Sequence, residues 1–329
     1  MKTLIINHKI YGRFKITEPV LIELIKSKSL QRLKKIDQLG AWHLHQDFKG
    51  FFSRYQHSIG VMLLLRKFNA SLEEQIAGLL HDASHTAFSH IIDFVFNSQS
   101  KQSYQDSKLT QAFEIQGINK ILRKYDVSPK KILNFENFSL LENELPNICA
   151  DRIDYTLQDP LGQKISANHP KDFLDNLTVH NNKFVFKNQL WAKKFAKLYL
   201  EISQKLWCGP EHIALYQLLS DAIKIGLNKK IITKKDLFTT DKVVLKKLKN
   251  SGETEILGRI KLIKNLKVKL APRDQADICN YSKARAVDPY FLKNDKLIRL
   301  STADKTYRKE MNDWLKKARK GFCMKILNK

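Results

Sequence analysis

The sequence predicts a mostly α-helical chain with a smaller α+β part towards its C-terminal end. Two observations carry that reading. Between Pro19 and Ile225 apolar residues recur at intervals of three and four, the spacing that keeps one face of a helix apolar. After Asn228 the pattern changes to short, Lys-rich alternating segments, followed by a final helix near residues 309–319.

Residues 1–16 alternate apolar and polar positions (Leu4, Ile6, Ile10, Phe14, Ile16), which predicts short strands around a turn at Gly12. From Pro19 the period lengthens: Leu21, Leu24 and Ile25, then Leu30, Leu33 and Ile36, fall at helical spacing. His43 and His45 are read as an HxH on a strand that could chelate metal from one face, with a turn-proximal pair near the site as the plainer account. Amphipathic helices follow over 58–68, 72–81, 109–124 and 148–157. Residues 177–186 read as a hairpin around Asn181-Asn182, and 191–207 and 213–225 return to helix. In the tail, 261–270 and 297–300 alternate like strands. The composition shift near residue 230 divides the chain into a region 1–228 and a basic α+β region 229–329, with no internal repeat.

The 329 residues are 43% hydrophobic and 28% charged, with 58 Lys+Arg against 33 Asp+Glu, a formal charge of +25. A chain of this length can bury about 75% of its unfolded surface, and its apolar fraction excludes a disordered or collagenous protein. No window approaches the roughly 20 consecutive apolar residues of a membrane helix. The first ten residues lack the apolar stretch of a signal peptide. Residues 230–329 hold 27 Lys+Arg and 11 Asp+Glu, so they carry +16 of the +25. A field of that sign attracts polyanions, either nucleotides or nucleic acid. The cysteines (Cys149, Cys208, Cys279, Cys323) form no CxxC pair. Reduced thiols in a cytoplasmic protein are the expectation.

The chemistry concentrates on helices. His57 stands at the head of one, His81-Asp82 at the end of another, and Asp151 on a third. Two imidazoles and two carboxylates suit Mn²⁺, Fe²⁺ or Mg²⁺ better than a closed structural zinc, and leave positions for water and a phosphate oxygen. His85, His90 and Asp93 crowd the same stretch, and such groups are costly to bury without partners. Asp151, Tyr155 and Asp159 lie at i, i+4 and i+8, on one helix face.

The run Arg54-Tyr-Gln-His57-Ser-Ile-Gly-Val61, followed by Ala77-Gly-Leu-Leu-His81-Asp82-Ala-Ser-His85-Thr-Ala-Phe-Ser-His90-Ile-Ile-Asp93, resembles the HD superfamily of metal-dependent phosphohydrolases. Within it, the likeness is to the deoxynucleoside triphosphate triphosphohydrolases, including those fused to a sterile alpha motif. Gln31-Arg-Leu-Lys34 with Gln38-Leu-Gly40, and Asp151-Arg-Ile-Asp-Tyr155-Thr-Leu-Gln-Asp159, resemble two further motifs of that family. The likeness runs over about residues 5–225.

The resemblance implies an HD-domain helical fold over 1–228 and one divalent ion (Mn, Fe, Mg or Zn) held by His57, His81, Asp82 and Asp151. It implies that His85, His90 and Asp93 line the reaction centre, with His85 or His90 as the acid. Arg54 and Arg152 would hold phosphate, Tyr155 and Asp159 the sugar, and Gln38 and Leu39 the ribose 3′ side. The implied reaction cleaves a dNTP to deoxynucleoside and triphosphate by metal-activated water. Another nucleotide or oligonucleotide phosphoester is the alternative substrate, and a nucleic-acid-binding regulator with little turnover the alternative role. The expected partners are a nucleotide substrate, nucleic acid at the basic C-terminal third, and further copies of the chain in a dimer or higher oligomer, with no membrane.

Three departures bear on substrate reading. Where the family places a His-Glu pair after the HD segment, this chain has Ser103-Tyr-Gln105-Asp106. The helix that carries Arg, Tyr and His in relatives reads Trp207-Cys-Gly-Pro-Glu211-His212. Lys26 stands where activated members carry an Asp that recognises guanine, so activation by a guanine nucleotide is not expected. Trp191, Phe195, Leu198 and Ile202 form an apolar stripe read as core or dimer seam, and Cys208 is read as a packing residue.

Overall fold

The N-terminal hairpin forms where the alternation predicts it: β1 (Leu4–His8) and β2 (Gly12–Ile16) pair antiparallel. The computed structural model describes residues 3–48 and 50–328. Pro19, pre-set for the first helical turn, opens α1 (Pro19–Lys26), and Ser27 caps α2 (Lys28–Leu33) by accepting from the Leu30 amide. Residues 40–44 form a 3₁₀ turn rather than the predicted strand. His43 accordingly bonds back to Gly40 O at 2.7 Å, and His45 reaches Leu266 O at 3.0 Å.

Helix α3 (Arg54–Lys67) starts at a capping box in which Ser53 and Gln56 satisfy each other's backbone amides. Its residues from Ile59 to Leu65 are all buried, so it forms the centre of the fold. Helix α4 (Leu72–Leu80) packs against it, and α5 (Ile91–Val95) follows. The predicted helix 109–124 is two, α6 (Leu109–Ile115) and α7 (Ile118–Lys124), because Gly117 takes a φ of +74° between them. Then come α8 (Pro129–Leu133), α9 (Ala150–Gln158), α10 (Pro160–Ile165) and α11 (Pro170–Asp175).

Strands β3 (Leu177–His180) and β4 (Lys183–Phe186) form the predicted hairpin, with Asn181 and Asn182 both at positive φ. Helix α12 (Gln189–Ile202) gives way to a π-helical turn at Ser203–Trp207, so the predicted helix 191–207 changes pitch before its end. Helix α13 (Pro210–Asn228) follows. The apolar stripe of α12 is core: Phe195, Leu198 and Ile202 are buried.

The C-terminal part is more helical than the alternation suggested. It contains α14 (Lys234–Leu237), α15 (Asp241–Lys249) and α16 (Thr254–Lys264), so residues 261–264 of the expected strand segment are helix and β5 (Val268–Leu270) is its strand. Then come β6 (Ile278–Asn280), β7 (Tyr290–Lys293), β8 (Lys296–Arg299), α17 (Leu300–Ala303), α18 (Lys305–Lys320) and β9 (Phe322–Ile326). One sheet runs β3-β4-β7-β8, its β4–β7 contact parallel at Phe186 and Phe291, and a second runs β5-β9-β6. Apolar residues from before and after position 230 share one core cluster.

The cysteine expectation needs correction. Cys279 on β6 stands opposite Cys323 on β9, and the two are joined by a disulfide. A separation of 44 residues conceals a pairing that only sheet register creates. Cys149 and Cys208 are free and buried. Among the described residues no helix is long and apolar enough to cross a membrane.

Candidate active site

Three helices meet at the site. Gly60 on α3 permits the closest contact, because a Cβ there would overlap the Asp154 carboxylate and the Gln158 amide of α9. That proximity lets the His57 Nδ1–H donate to Asp154 Oδ2 at 2.7 Å. Asp154 is held in turn by the Tyr11 hydroxyl (2.6 Å) and Gln158 Nε2 (2.8 Å). With Nδ1 committed, the His57 Nε2 lone pair faces inward. His81 is fixed in the same way, its Nδ1–H donating to Gly78 O at 2.7 Å.

The inward atoms converge. His57 Nε2 lies 3.1 Å from His81 Nε2 and 2.9 Å from Asp151 Oδ1, and His81 Nε2 lies 3.6 Å from Asp151 Oδ1. Donors bound at right angles to one small ion stand about 3 Å apart. Asp82 adjoins the group, its Oδ1 3.4 Å from His81 Nε2 and its Oδ2 3.9 Å from His57 Nε2.

The electrostatics also call for a cation. Burial alone would lower His57, yet its hydrogen bonds to Asp151 and Asp154 and the charge of Asp82 raise it to about 10. Burial would raise Asp151, but the bonds and charges of His57 and His81 hold it well below the ordinary carboxylate range. The cluster thus draws positive charge to its centre, and a divalent ion would supply it in place of a proton. The donor set fits the expected metal.

Beside these groups lies a cavity of about 320 Å³. Of the residues to which the resemblance gives metal, reaction-centre or substrate roles, all but His57 and Asp93 reach its wall: Gln38, Leu39, Arg54, His81, Asp82, His85, His90, Asp151, Arg152, Tyr155 and Asp159. His57 is fully buried behind the convergent donors, and Asp93 lies behind His90.

Arg54 is locked by Asp82 (3.0 Å) and Ser89 (2.9 Å). Arg152 pairs with Glu142 at 3.0 Å. The Tyr155 hydroxyl meets that of Tyr199 at 2.6 Å, and Asp159 accepts from Trp207 Nε1 at 3.2 Å.

The two candidate acids differ. His85 Nε2 lies 3.0 Å from Asp82 Oδ1, and its buried Nδ1 has no hydrogen-bond partner among the described residues. Burial, reinforced by the charge of Arg54, pushes His85 down to about 3, so it is neutral at physiological pH. His90 instead donates Nδ1–H to Asp93 Oδ2 at 3.1 Å, and Asp93 is oriented by Ser98 and the Tyr104 amide. Burial lowers His90, and the hydrogen bond to Asp93 opposes that shift.

Gln105, in the Ser103–Asp106 stretch, braces the loop between α4 and α5 by bonding Thr86 and Ser89 O.

Sequence reasoning gave no role to Asp154, although it lies inside the quoted Asp151–Asp159 motif, three residues after Asp151 and so on the same side of the helix. It also missed Lys283 and Arg285, which enter the cavity from the C-terminal region. Nothing local marks those two among so many basic residues.

Asp154→Asn is expected to weaken metal affinity about 10- to 100-fold, because an amide can also donate and thus admits the wrong imidazole tautomer. Titration of metal-stripped protein with Mn²⁺ measures this; unchanged affinity would remove Asp154 from the site.

The HD domain family profile matches residues 54–156. YdhJ of Bacillus subtilis (strain 168), an uncharacterized protein, is 37% identical over 324 residues, covering 98% of this chain and 99% of its own length. The metal-dependent phosphohydrolase cns2 of Cordyceps militaris is 32% identical over 225 residues, covering 65% of this chain and 64% of its own. The deoxynucleoside triphosphate triphosphohydrolase SAMHD1 of Danio rerio is 35% identical over 108 residues, 28% of this chain and 17% of its own length. A solved structure of a hypothetical protein from Aquifex aeolicus superposes with a TM-score of 0.70 at 19% identity, covering 93% of each chain, a likeness of fold.

Proposed function

The chain belongs to the HD-domain family of metal-dependent phosphohydrolases, and on that premise we propose that it hydrolyses a deoxynucleoside triphosphate to the deoxynucleoside and inorganic triphosphate. The observation that carries this reading is the sharing of one cavity by the cation-seeking cluster, the arginines and the Tyr155–Asp159 face. The partial likeness to SAMHD1 supports it.

His57, His81, Asp82 and Asp151 would hold the ion. When bound, such an ion polarises a phosphoryl oxygen and acidifies a water. The water oxygen joins the α-phosphorus as the bond to the 5′ oxygen breaks. Arg54, immobilised by Asp82 and Ser89, and Arg152, immobilised by Glu142, neutralise charge on the phosphoryl oxygens without reorganising. His90, oriented by Asp93, delivers a proton to the departing 5′ oxygen. The bound phosphates favour its imidazolium, offsetting the burial that lowers it. Tyr155 and Asp159 face the sugar, with Gln38 and Leu39 closing the 3′ side.

A second reading, hydrolysis of another nucleotide or oligonucleotide phosphoester, is favoured by one observation. The entry to α13 brings Trp207 and His212 to the cavity wall and no Lys or Arg.

Both readings meet one experiment: protein with Mn²⁺ incubated with dNTPs, NTPs, monophosphates and single-stranded DNA, products resolved by ion exchange. Release of inorganic triphosphate is expected. Orthophosphate alone would replace the first reading with the second.

A further inference from the structure

Lys283 and Arg285 lie outside the matched HD domain, on the irregular segment between β6 and β7, and both side chains enter the catalytic cavity. That segment is anchored through its backbone. Cys208 Sγ donates to Lys283 O at 3.0 Å, while Ser203 Oγ (2.8 Å) and Trp314 Nε1 (3.2 Å) both donate to Arg285 O. Upstream, the Cys279–Cys323 disulfide fastens β6 to β9. Thus the π-helical turn and α18 set where the two side chains begin, independently of what those side chains touch.

Among the described residues Lys283 and Arg285 make no ion pair, whereas Arg54 and Arg152 each have a carboxylate partner. Among the described residues Arg285 Nη2 donates to the neutral Gln102 amide oxygen. Burial, and then the like charges of Arg285 and Arg152, lower the Lys283 ammonium, with Glu142 and Asp106 opposing. Asp106 lines the same wall but makes no ion pair with either cation among the described residues, and burial raises its carboxyl. Half-buried, unpaired cations gathered in one cavity repel each other unless an anion joins them.

We propose that Lys283 and Arg285 bind the phosphate chain beyond the reacting phosphorus, supplying from the C-terminal region the cations that the entry to α13 lacks. This rests on the nucleotide-hydrolase reading and deepens it. A chain of several phosphates can meet the ion, the paired arginines and these two cations at once, which a single phosphate cannot, so the pair is expected to favour polyphosphates over monophosphates. Arg285 offers a planar fork to phosphate oxygens, and Lys283 a point charge.

The test is calorimetric titration of the Mn²⁺-loaded protein with inorganic tripolyphosphate and with orthophosphate. Wild type is compared with Arg285→Gln, Lys283→Gln and the exposed-lysine control Lys246→Gln. Melting curves and metal content establish that each variant is folded and loaded; the anchors of the segment are backbone atoms and remain in all of them. Each cavity variant is expected to lose about 10- to 100-fold in tripolyphosphate affinity, with orthophosphate and the Lys246→Gln control little changed. Folded variants that bind tripolyphosphate as wild type does overturn the proposal. So would dNTP hydrolysis by both variants at wild-type KM, an outcome that leaves the proposed function standing. If wild type hydrolyses no dNTP but the variants lose tripolyphosphate, the reaction assignment falls and the anion site holds.

Discussion

His81→Ala is expected to release the divalent ion and to lower turnover by about 10³-fold or more, equivalent to at least about 4 kcal/mol of transition-state stabilisation. The expectation follows from how His81 is held. Its Nδ1–H is committed to Gly78 O, so the Nε2 lone pair has no other task than to face His57, Asp82 and Asp151. Alanine leaves Asp151 and Asp82 near His57, which then keeps the proton those carboxylates favour, and a protonated imidazole cannot ligate. The fold should survive, because His81 stands at the end of α4 and borders a cavity that water can enter. Metal content by mass spectrometry, read with melting curves and turnover, checks the result. A folded variant with full metal occupancy and full activity would dismantle the assigned centre.

His90→Gln is expected to cost about 10²–10⁴-fold in the rate of nucleotide hydrolysis while leaving metal occupancy unchanged. Glutamine can hold a hydrogen bond but cannot supply a proton to the departing 5′ oxygen. The loss should therefore vanish for a p-nitrophenyl phosphoester, whose leaving group departs without protonation at neutral pH. The pH profile gives an independent reading. A proton-donating His90 loses activity as pH rises through its pKa. Burial places that pKa below the ordinary histidine value in the free protein, so the descending limb of kcat/KM should lie low. Bound phosphate favours the imidazolium, so the limb of kcat should lie higher, and both should disappear in the variant. An equal loss with both classes of substrate would reassign His90 to positioning and turn attention to His85.

Much of the site was legible in the sequence because its parts are local. His81 and Asp82 adjoin, His85 follows by one helical turn, and Asp151, Tyr155 and Asp159 share a helix face. What escaped was partnership across the chain. Asp154 is one carboxylate among several until α3 approaches α9 at Gly60 and His57 meets it. The break at Gly117 and the 3₁₀ turn at His43 were likewise invisible to periodicity, since apolar spacing reports which face is buried and not the φ of a single residue.

By itself the sequence determined the helical class, the N-terminal and Asn181-Asn182 hairpins, and most of the histidines, carboxylates and arginines that gather at one cavity. Those follow from short-range spacing, which the 3.6- and 2-residue periods translate directly into faces. Only tertiary structure decided that Cys279 meets Cys323, that Lys283 and Arg285 enter the cavity, and that the imidazoles turn their Nε2 atoms together. Each depends on sheet register, a backbone anchor or a hydrogen bond between segments far apart in the chain, and residue spacing carries no record of those.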